Sequence, residues 1–350
     1  MINVLVVEDS PIAQELILKI LLEQPDIKVL GVATSGESAI KMNEQFRPDV
    51  ITMDVNLPGM NGLEATKVIM ESFPTPIIIV SSGFEPHNIA HSINAIKTGA
   101  VSIAKKPEGY GTEEFTDASQ KLVQMIRLMS EIKVVKRQVL KEDTELNKGT
   151  NIAINNQKPV EVVGIGASTG GPAVIEEILS NLPAFFDLPV IIVQHIAQGF
   201  TEGFVEWLNH KSTLKVVLAK SGMVVKSGTC YIAPDDYHLK FLSDGVITLT
   251  DEEKVNGSKP SVSVFFQSLA EVYGSRSIAI LLSGMGKDGA DQLKVLREKG
   301  AITIAQDSSS SLIYGMPGEA VKLKAAKYIM SKENIISFLS GVSIKEDVNK

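Results

Sequence analysis

The chain has 350 residues, of which 44% are hydrophobic, and its formal net charge is −7 at pH 7. This length predicts two or three domains with sizeable cores. The acidic balance argues against a broad nucleic-acid surface, because such a surface is rich in Lys and Arg. Cys230 has no second cysteine to pair with, so an intrachain disulfide is excluded and a packing role is expected.

The N-terminal stretch 2–8 lacks a basic start region and turns acidic at Glu8, so it does not resemble a signal peptide. No apolar run approaches the about 18 residues that a membrane-spanning helix needs. We therefore expect a cytoplasmic protein without membrane insertion.

The first 125 residues alternate short apolar runs with amphipathic stretches. Strands are predicted at 4–7, 28–33, 50–53, 77–80 and 100–104. Helices are predicted between them at 12–23, 37–45, 61–72 and 87–98. This alternation is typical of an α/β fold with a doubly wound parallel sheet. The ligand site of such a sheet lies outside the carboxyl ends of its strands.

Polar side chains stand at those strand ends. Glu8 and Asp9 follow the first strand, Asp54 the third, Ser81 the fourth and Lys106 the fifth. Carboxylates this close repel one another unless a divalent cation lies among them, and Mg²⁺ prefers oxygen ligands. Asp54 is then the predicted phosphoacceptor, and Ser81 and Lys106 would contact the phosphoryl oxygens.

With these residues in place, the stretch 1–125 resembles a response-regulator receiver domain, and the segment 53–62 is close to the phosphorylation-site loop of that family. The resemblance implies a flavodoxin-like fold and a Mg²⁺ site formed by Glu8, Asp9, Asp54 and the backbone carbonyl of Asn56. Ile103 stands where the family often has an aromatic switch residue. We therefore expect phosphorylation without an aromatic rotamer switch.

The stretch 126–158 is predicted to be a linker. Helical periodicity with several basic residues continues to 141, and the stretch 142–158 is polar, Asn-rich and poorly periodic. These patterns indicate a linker helix followed by a flexible tether. The basic residues between 133 and 141 fit a nucleic-acid patch less well than a solvated helix face.

The stretch 159–345 is predicted to be a second, Rossmann-like α/β domain with a parallel sheet. Strands are predicted at 161–165, 189–194, 214–218, 277–282 and 301–305, with a β-hairpin insertion at 228–250. Helices follow most of these strands.

The stretch 164–172 places Ser168 at a strand-to-helix turn between small residues, as in a nucleophile elbow. It is also close to a dinucleotide-binding loop, but Thr169 stands where that motif has its third glycine. The second strand of such a fold ends in an acidic residue that binds ribose, whereas this one ends in Gln194-His195. This position contradicts cofactor binding.

A serine, a histidine and an aspartate are predicted at one sheet edge. Ser168, His195 and Asp288 each follow a strand of the second domain. A serine hydroxyl needs a base within hydrogen-bond reach, and the base needs a carboxylate to fix its tautomer. Backbone amides of Thr169 and Met285 are the predicted oxyanion donors.

Each of these residues also has a simpler interpretation. Ser168 and Asp288 could be helix caps, and His195 could be a structural histidine at a strand end. His238, in the predicted hairpin, is the substitute base if His195 does not serve.

The stretch from 159 to about 340 resembles the catalytic domain of the chemotaxis methylesterase, the CheB family. The matching segments are 164–171, 194–195, 199–201, 230–234, 259–262, 284–290 and 314–317. The resemblance implies Ser168 as nucleophile, His195 as base and Asp288 as orienting carboxylate, with no metal in the esterase step. It implies hydrolysis of glutamate methyl esters on methyl-accepting chemotaxis receptors, and often deamidation of receptor glutamines.

The implied partners are the cytoplasmic helices of those receptors and a chemotaxis histidine kinase that donates the phosphoryl group. We expect a monomer that does not bind nucleic acid. The unphosphorylated receiver is expected to cover the catalytic edge, and phosphorylation of Asp54 to expose it.

Three positions depart from the common family pattern: Lys259, Ser263 and Lys287. They are expected to border the substrate groove without touching the triad, so receptor preference is left open.

Two other functional classes also stay open. A DNA-binding regulator would need a helix-turn-helix where the sequence has strands and glycine turns. An inactive receptor adaptor would keep the fold but need no triad.

Overall fold

The structure is a computed structural model that describes residues 1–81, 102–131 and 159–343, apart from residue 197. The chain divides into two compact units, Met1–Asp143 and Thr144–Lys350. The predicted helix at 87–98 and most of the predicted linker lie outside the described residues. The domain limits 1–125, 126–158 and 159–345 stay predictions.

The first unit contains a five-stranded parallel sheet in the order β2-β1-β3-β4-β5. Its strands are β1 (Ile2–Val7), β2 (Ile27–Ala33), β3 (Val50–Asp54), β4 (Ile77–Ser81) and β5 (Ser102–Lys105). The order reverses between β1 and β3, and a ligand site is expected at such a switch point. Asp54 ends β3, so the predicted phosphoacceptor lies at that point.

The described helices of the first unit begin at side chains that cap them. They are α1 (Pro11–Leu22), α2 (Gly36–Phe46), α3 (Gly62–Ser72) and α4 (Glu113–Met129). Ser10, Ser35, Asn61 and Thr112 each accept a hydrogen bond from a first-turn amide, which satisfies donors that have no partner inside the helix.

The second unit contains a seven-stranded parallel sheet in the order β14-β13-β12-β6-β7-β9-β8. Its strands are β6 (Val162–Ala167), β7 (Val190–Gln194), β8 (Lys215–Leu218), β9 (Thr229–Ile232), β12 (Ser277–Leu281), β13 (Ile302–Gln306) and β14 (Tyr328–Met330). Its helices are α5 (Gly171–Asn181), α6 (Thr201–Lys211), α7 (Val262–Val272), α8 (Ala290–Glu298), α9 (Met316–Lys322) and α10 (Lys332–Ser343). The predicted fold class of two parallel α/β domains is confirmed.

The hairpin is shorter than the predicted insertion at 228–250. Only β10 (His238–Phe241) and β11 (Ile247–Thr250) pair as an antiparallel hairpin. Strand β9, which we placed in the hairpin, instead pairs in parallel with β7 and β8. Cys230 and Ile232 are buried there, because a strand inside a covered parallel sheet is enclosed on both faces. This burial fits the packing role predicted for Cys230 and raises the pKa of its thiol.

Glycines in β6 let a helix lie directly on the strand. A Cβ atom at Gly166 would lie 2.3 Å from Val262 Cγ1, and one at Gly164 would lie 2.7 Å from Leu269 Cδ2. The absence of side chains at both positions therefore allows α7 to pack closely against β6. This contact sets the first turn of α7 beside the end of β6.

None of the helices that the structure describes combines the length and the apolar character of a membrane span.

Candidate active site

The predicted triad residues come from neighbouring strands of the second sheet. β6 lies between β12 and β7, and Ser168 and His195 directly follow β6 and β7. The Ser168 amide donates to the Ser283 carbonyl at 3.0 Å, and the His195 amide donates to the Ala167 carbonyl at 2.9 Å. Asp288 lies in the loop after β12, so the parallel sheet gathers the three residues at its carboxyl edge.

His195 and Asp288 are joined by a hydrogen bond of 3.0 Å between Nε2 and Oδ2. An ionised carboxylate only accepts hydrogen bonds, so Nε2 carries the proton and Nδ1 keeps the lone pair that a base needs. The structure contains no hydrogen bond between the Ser168 hydroxyl and His195, both of which it describes. Catalytic hydrogen bonds are often long before substrate binds.

Asp288 is surrounded by donors. Oδ2 also accepts from the Val262 amide at 2.7 Å. Oδ1 accepts from Ser261 Oγ at 2.8 Å, from Asn256 Nδ2 at 3.0 Å and from the Ser263 amide at 3.1 Å. Burial alone would raise the pKa of Asp288, but the His195 imidazole together with Asn256 and Ser263 holds that pKa well below the usual range. The carboxylate therefore stays ionised beside His195.

The first turn of α7 contributes to this charge stabilisation. Ser261 is the N-cap of α7, and its hydroxyl accepts from the Ser263 and Val264 amides while it donates to Asp288. The positive end of the helix dipole favours a carboxylate at this place. Gly289 and Gly170 stand at the N-caps of the helices that follow Asp288 and Ser168. Asp288 and Ser168 therefore do not cap the helices that follow them, and their simpler interpretation as helix caps is wrong.

The loop after β12 lies directly against Ser168. A Cβ atom at Gly284 would lie 2.8 Å from Ser168 Cβ. The Ser283 hydroxyl donates to the Thr169 carbonyl at 2.8 Å and holds the two loops together. Among the described residues, no group accepts a hydrogen bond from the Thr169 or Met285 amide. These amides are thus available to an oxyanion, the role we predict for them.

The first unit gathers its own charged cluster. Lys106 Nζ lies 2.7 Å from both Glu8 Oε2 and Asp54 Oδ2. Burial raises the pKa of Glu8. Burial would lower the pKa of Lys106, but its hydrogen bonds with Asp54 and Glu8 outweigh burial and raise it. Ser81 is buried at the end of β4, and its carbonyl accepts from the Lys106 amide at 2.8 Å.

This cluster fits a divalent cation. Carboxylate oxygens of Glu8, Asp9 and Asp54 lie within 4.8 Å of one another. Asp9 is exposed, whereas Glu8 and Asp54 are buried. Such an oxygen set with an open side suits Mg²⁺, which keeps several of its waters. Asn56 donates its amide to Asp54 Oδ1 at 3.2 Å, so its backbone lies next to the cluster.

Comparisons with known proteins give a family match for each of the two units. The family model described as CheB methylesterase matches residues 163–339, and the one described as response regulator receiver domain matches residues 4–118. The chain belongs to the CheB methylesterase family. The predicted enzyme class, an ester hydrolase with a receiver domain, is therefore confirmed.

Relatives of this CheB-family chain match nearly its whole length. A protein-glutamate methylesterase/protein-glutamine glutaminase of Nitrosospira multiformis is 45% identical over 98% of this chain and 97% of its own. One of Syntrophus aciditrophicus is 44% identical over 97% of each chain. The crystal structure of the Thermotoga maritima CheB methylesterase catalytic domain is 35% identical, with a TM-score of 0.51, and covers 53% of this chain and 100% of its own.

His238 has a structural role in this CheB-family chain. It is fully buried, its Nε2 lies 2.9 Å from the Glu253 carbonyl, and its Nδ1 accepts from the Ser261 amide at 3.1 Å. A carbonyl only accepts, so Nε2 carries the proton and both ring nitrogens are occupied. His238 thus supports the N-cap of α7 and does not fit the role of substitute base.

The contacts of Asp288 also correct the expectation that no departure from the family pattern touches the triad. The Ser263 amide donates to Asp288, and the Ser263 hydroxyl accepts from the Gly289 amide at 2.8 Å. Lys259 instead pairs with Asp251 at 2.6 Å, and Lys287 is exposed. Ser263 stands two residues after the N-cap of α7, so it lies in the first turn of this helix, which faces the Asp288 carboxylate.

Asn256 and Asp235 also support the site and were not predicted. Asn256 donates to Asp288 from an Asn-Gly turn, and this dipeptide is the available sequence signal, since it favours a tight hairpin turn. Asp235 accepts from the Gly199 amide at 2.8 Å and from the Thr201 hydroxyl. It thereby fixes the segment between His195 and α6. No local pattern points to Asp235, because its partners are distant in sequence.

Proposed function

We propose that this chain hydrolyses glutamate methyl esters on methyl-accepting chemotaxis receptors, and that phosphorylation of Asp54 regulates this activity. The observation that carries the proposal is the 3.0 Å hydrogen bond between His195 Nε2 and Asp288 Oδ2 at the sheet edge that also carries Ser168. The names of full-length relatives, protein-glutamate methylesterase/protein-glutamine glutaminase, support this substrate class.

The first half of the reaction forms an acyl-enzyme. Ser168 Oγ attacks the carbonyl carbon of the glutamyl methyl ester while His195 Nδ1 takes the hydroxyl proton. Asp288, which the surrounding hydrogen-bond donors keep ionised, stabilises the imidazolium of His195. The amides of Thr169 and Met285 donate to the oxyanion of the tetrahedral intermediate. The intermediate then expels methoxide, which takes the proton from His195 and leaves as methanol.

The second half restores the enzyme. Water attacks the glutamyl ester on Ser168, and His195 takes one proton of that water. The tetrahedral intermediate releases the glutamate carboxyl group, and the proton returns from His195 to Ser168 Oγ. A receptor glutamine would enter the same sequence with ammonia as the leaving group, in agreement with the second activity in the relatives' names.

The first unit is the proposed regulatory input. Asp54 would accept the phosphoryl group from a chemotaxis histidine kinase, with Ser81 and Lys106 contacting the phosphoryl oxygens. Glu8, Asp9, Asp54 and the carbonyl of Asn56 would hold Mg²⁺, which neutralises phosphoryl charge when it is bound. Phosphorylation would convert the carboxylate that Lys106 contacts at 2.7 Å into an acyl phosphate, whose negative charge lies on the phosphoryl oxygens. The Lys106 contacts would therefore change with the state of Asp54.

Methanol release from methylated receptor membranes tests the esterase assignment. Ser168→Ala should reduce the rate by several orders of magnitude, as single knockouts of a serine triad do. Addition of acetyl phosphate should raise the wild-type rate and leave an Asp54→Asn variant unchanged. An inactive adaptor would give the same rate for wild type and Ser168→Ala, and this result would overturn the proposal.

A further inference from the structure

Gln194, the last residue of β7, joins the nucleophile turn to the base. Its side chain is buried, with 3% exposed. Nε2 donates to the Ser168 carbonyl at 2.8 Å and to the His195 carbonyl at 2.7 Å. A carboxamide nitrogen has two hydrogens, so each carbonyl receives one of them. One side chain therefore contacts the backbone of both residues between which the proton must move.

The space for this carboxamide exists because residue 171 is glycine. A Cβ atom at Gly171 would lie 2.2 Å from Gln194 Oε1, far inside contact distance. Gly171 does not have a positive φ, so backbone conformation does not require glycine here. The second glycine of the Ser-Thr-Gly-Gly turn is thus explained by the side chain that lies against it.

The orientation of the carboxamide is also determined. Among the described residues, Oε1 is a buried atom without a hydrogen-bond donor. A reversed amide would place Oε1 against two carbonyl oxygens and lose both hydrogen bonds. The unpaired Oε1 lowers stability, since a buried acceptor without a partner is unfavourable. The two donated hydrogen bonds therefore fix the orientation of the carboxamide, while its oxygen stays without a donor.

We propose that Gln194 is a positioning residue for the triad, which holds the Ser168 turn and the His195 backbone at a fixed separation. This inference rests on the proposed function, because it assumes that Ser168 is activated by His195. A small displacement between nucleophile and base lowers the rate strongly, so loss of both bonds should slow acylation of Ser168 by roughly 10- to 100-fold.

The test uses the full chain with Mg²⁺ and acetyl phosphate, so that Asp54 is phosphorylated, and a fluorophosphonate, which phosphonylates an activated serine with loss of fluoride and without requiring a receptor. Gln194→Met keeps the length of the side chain and removes both donors. Thr303→Val is the matched control, since the buried Thr303 hydroxyl donates to the Ala325 carbonyl and accepts from the Lys327 amide, both at 2.9 Å, away from the carboxyl edge. The fluorescence of Trp207 measures the stability of the second unit in each variant.

We expect Gln194→Met to label at least about 10-fold more slowly than wild type, and Thr303→Val to label at the wild-type rate with a similar loss of stability. Equal labelling of Gln194→Met and wild type would overturn the inference, as would an equal slowing in both variants. If Gln194→Met does not fold, Gln194→Leu gives the same decision, because it also removes both donors. Absence of labelling at Ser168 in the wild-type chain would contradict the proposed function itself, and this inference with it.

Discussion

Asn256 Nδ2 lies 3.0 Å from Asp288 Oδ1, so an exposed turn holds a buried carboxylate of the triad. Val255 and Ser258 pair across the turn, and φ is 53° at Asn256 and 77° at Gly257. Two central residues with positive φ define the turn that favours Asn-Gly. The residue that forms the turn therefore also supplies a donor to the active site.

We expect Asn256→Gly to lower kcat for methanol release by about 10-fold, because a hydrogen bond to a charged group is lost while glycine tolerates the positive φ. Asn256→Asp should lower kcat further, since it places a second carboxylate beside Asp288. Lys324→Gly is the control: Lys324 is exposed, with φ of 54°, outside the triad network. Wild-type kcat in Asn256→Gly would show that Asp288 does not need this donor.

The positions of Ser168 and His195 could be predicted from sequence because they depend on one regular feature. Parallel strands end at the same edge, so a residue directly after each strand must lie there. The same rule predicted Asp54 and Lys106, which lie 2.7 Å apart through Lys106 Nζ and Asp54 Oδ2. Identification of the strands was therefore sufficient for these residues, whereas Asp288 returns to the edge through the loop that follows Leu281, the last residue of β12.

The residues that support the triad depend on side-chain contacts that strand periodicity does not encode. Gln194 bonds to the backbone carbonyls of Ser168 and His195, and His238 on β10 accepts from the Ser261 amide at the N-cap of α7. The short strand β14 escaped prediction because its three residues are too few to show a strand pattern. Strand β9 was assigned to the hairpin because local β-propensity does not specify which strand becomes its partner.

Asp288→Asn should change how the stability of the second unit depends on pH. The pKa of Asp288 is held below the ordinary value of about 3.9, so its ionised form stabilises the fold above that pH and this stabilisation is lost as pH falls through the folded-state pKa. We expect the variant to be less stable by about 1–3 kcal/mol near pH 7, and the difference to shrink below about pH 4.

Denaturant unfolding followed by the fluorescence of Trp207 measures this difference, since Trp207 is the single tryptophan of the chain and lies in α6. Asp291→Asn is the control, because Asp291 is an exposed aspartate on α8 of the same unit, and exposed substitutions change stability little. A gap between Asp288→Asn and wild type that stays constant on acidification would contradict the prediction.

Gly284→Ala should abolish most esterase activity by displacing the nucleophile. The new methyl group would lie 2.8 Å from Ser168 Cβ and 2.4 Å from Met316 Sδ, so Ser168 or its loop must shift. A displacement of this kind lowers catalysis by on the order of 100-fold. Gly341→Ala in α10 is the control, since a Cβ atom there meets open space. Wild-type methanol release by Gly284→Ala would show that the loop adapts without moving Ser168.

Asp9→Asn should remove Mg²⁺ binding with little effect on folding. Glu8 and Asp54 are buried and share Lys106, whereas Asp9 is exposed at the open side of the cluster. Loss of one carboxylate from a small set of oxygen ligands strongly weakens the binding of a hard cation such as Mg²⁺. A substitution at an exposed position costs little stability. Titration calorimetry with Mg²⁺ measures the binding, and acetyl phosphate should then no longer stimulate methanol release. Asp117→Asn, which alters an exposed ion pair on α4, should bind Mg²⁺ like wild type. Wild-type affinity in Asp9→Asn would place the cation elsewhere.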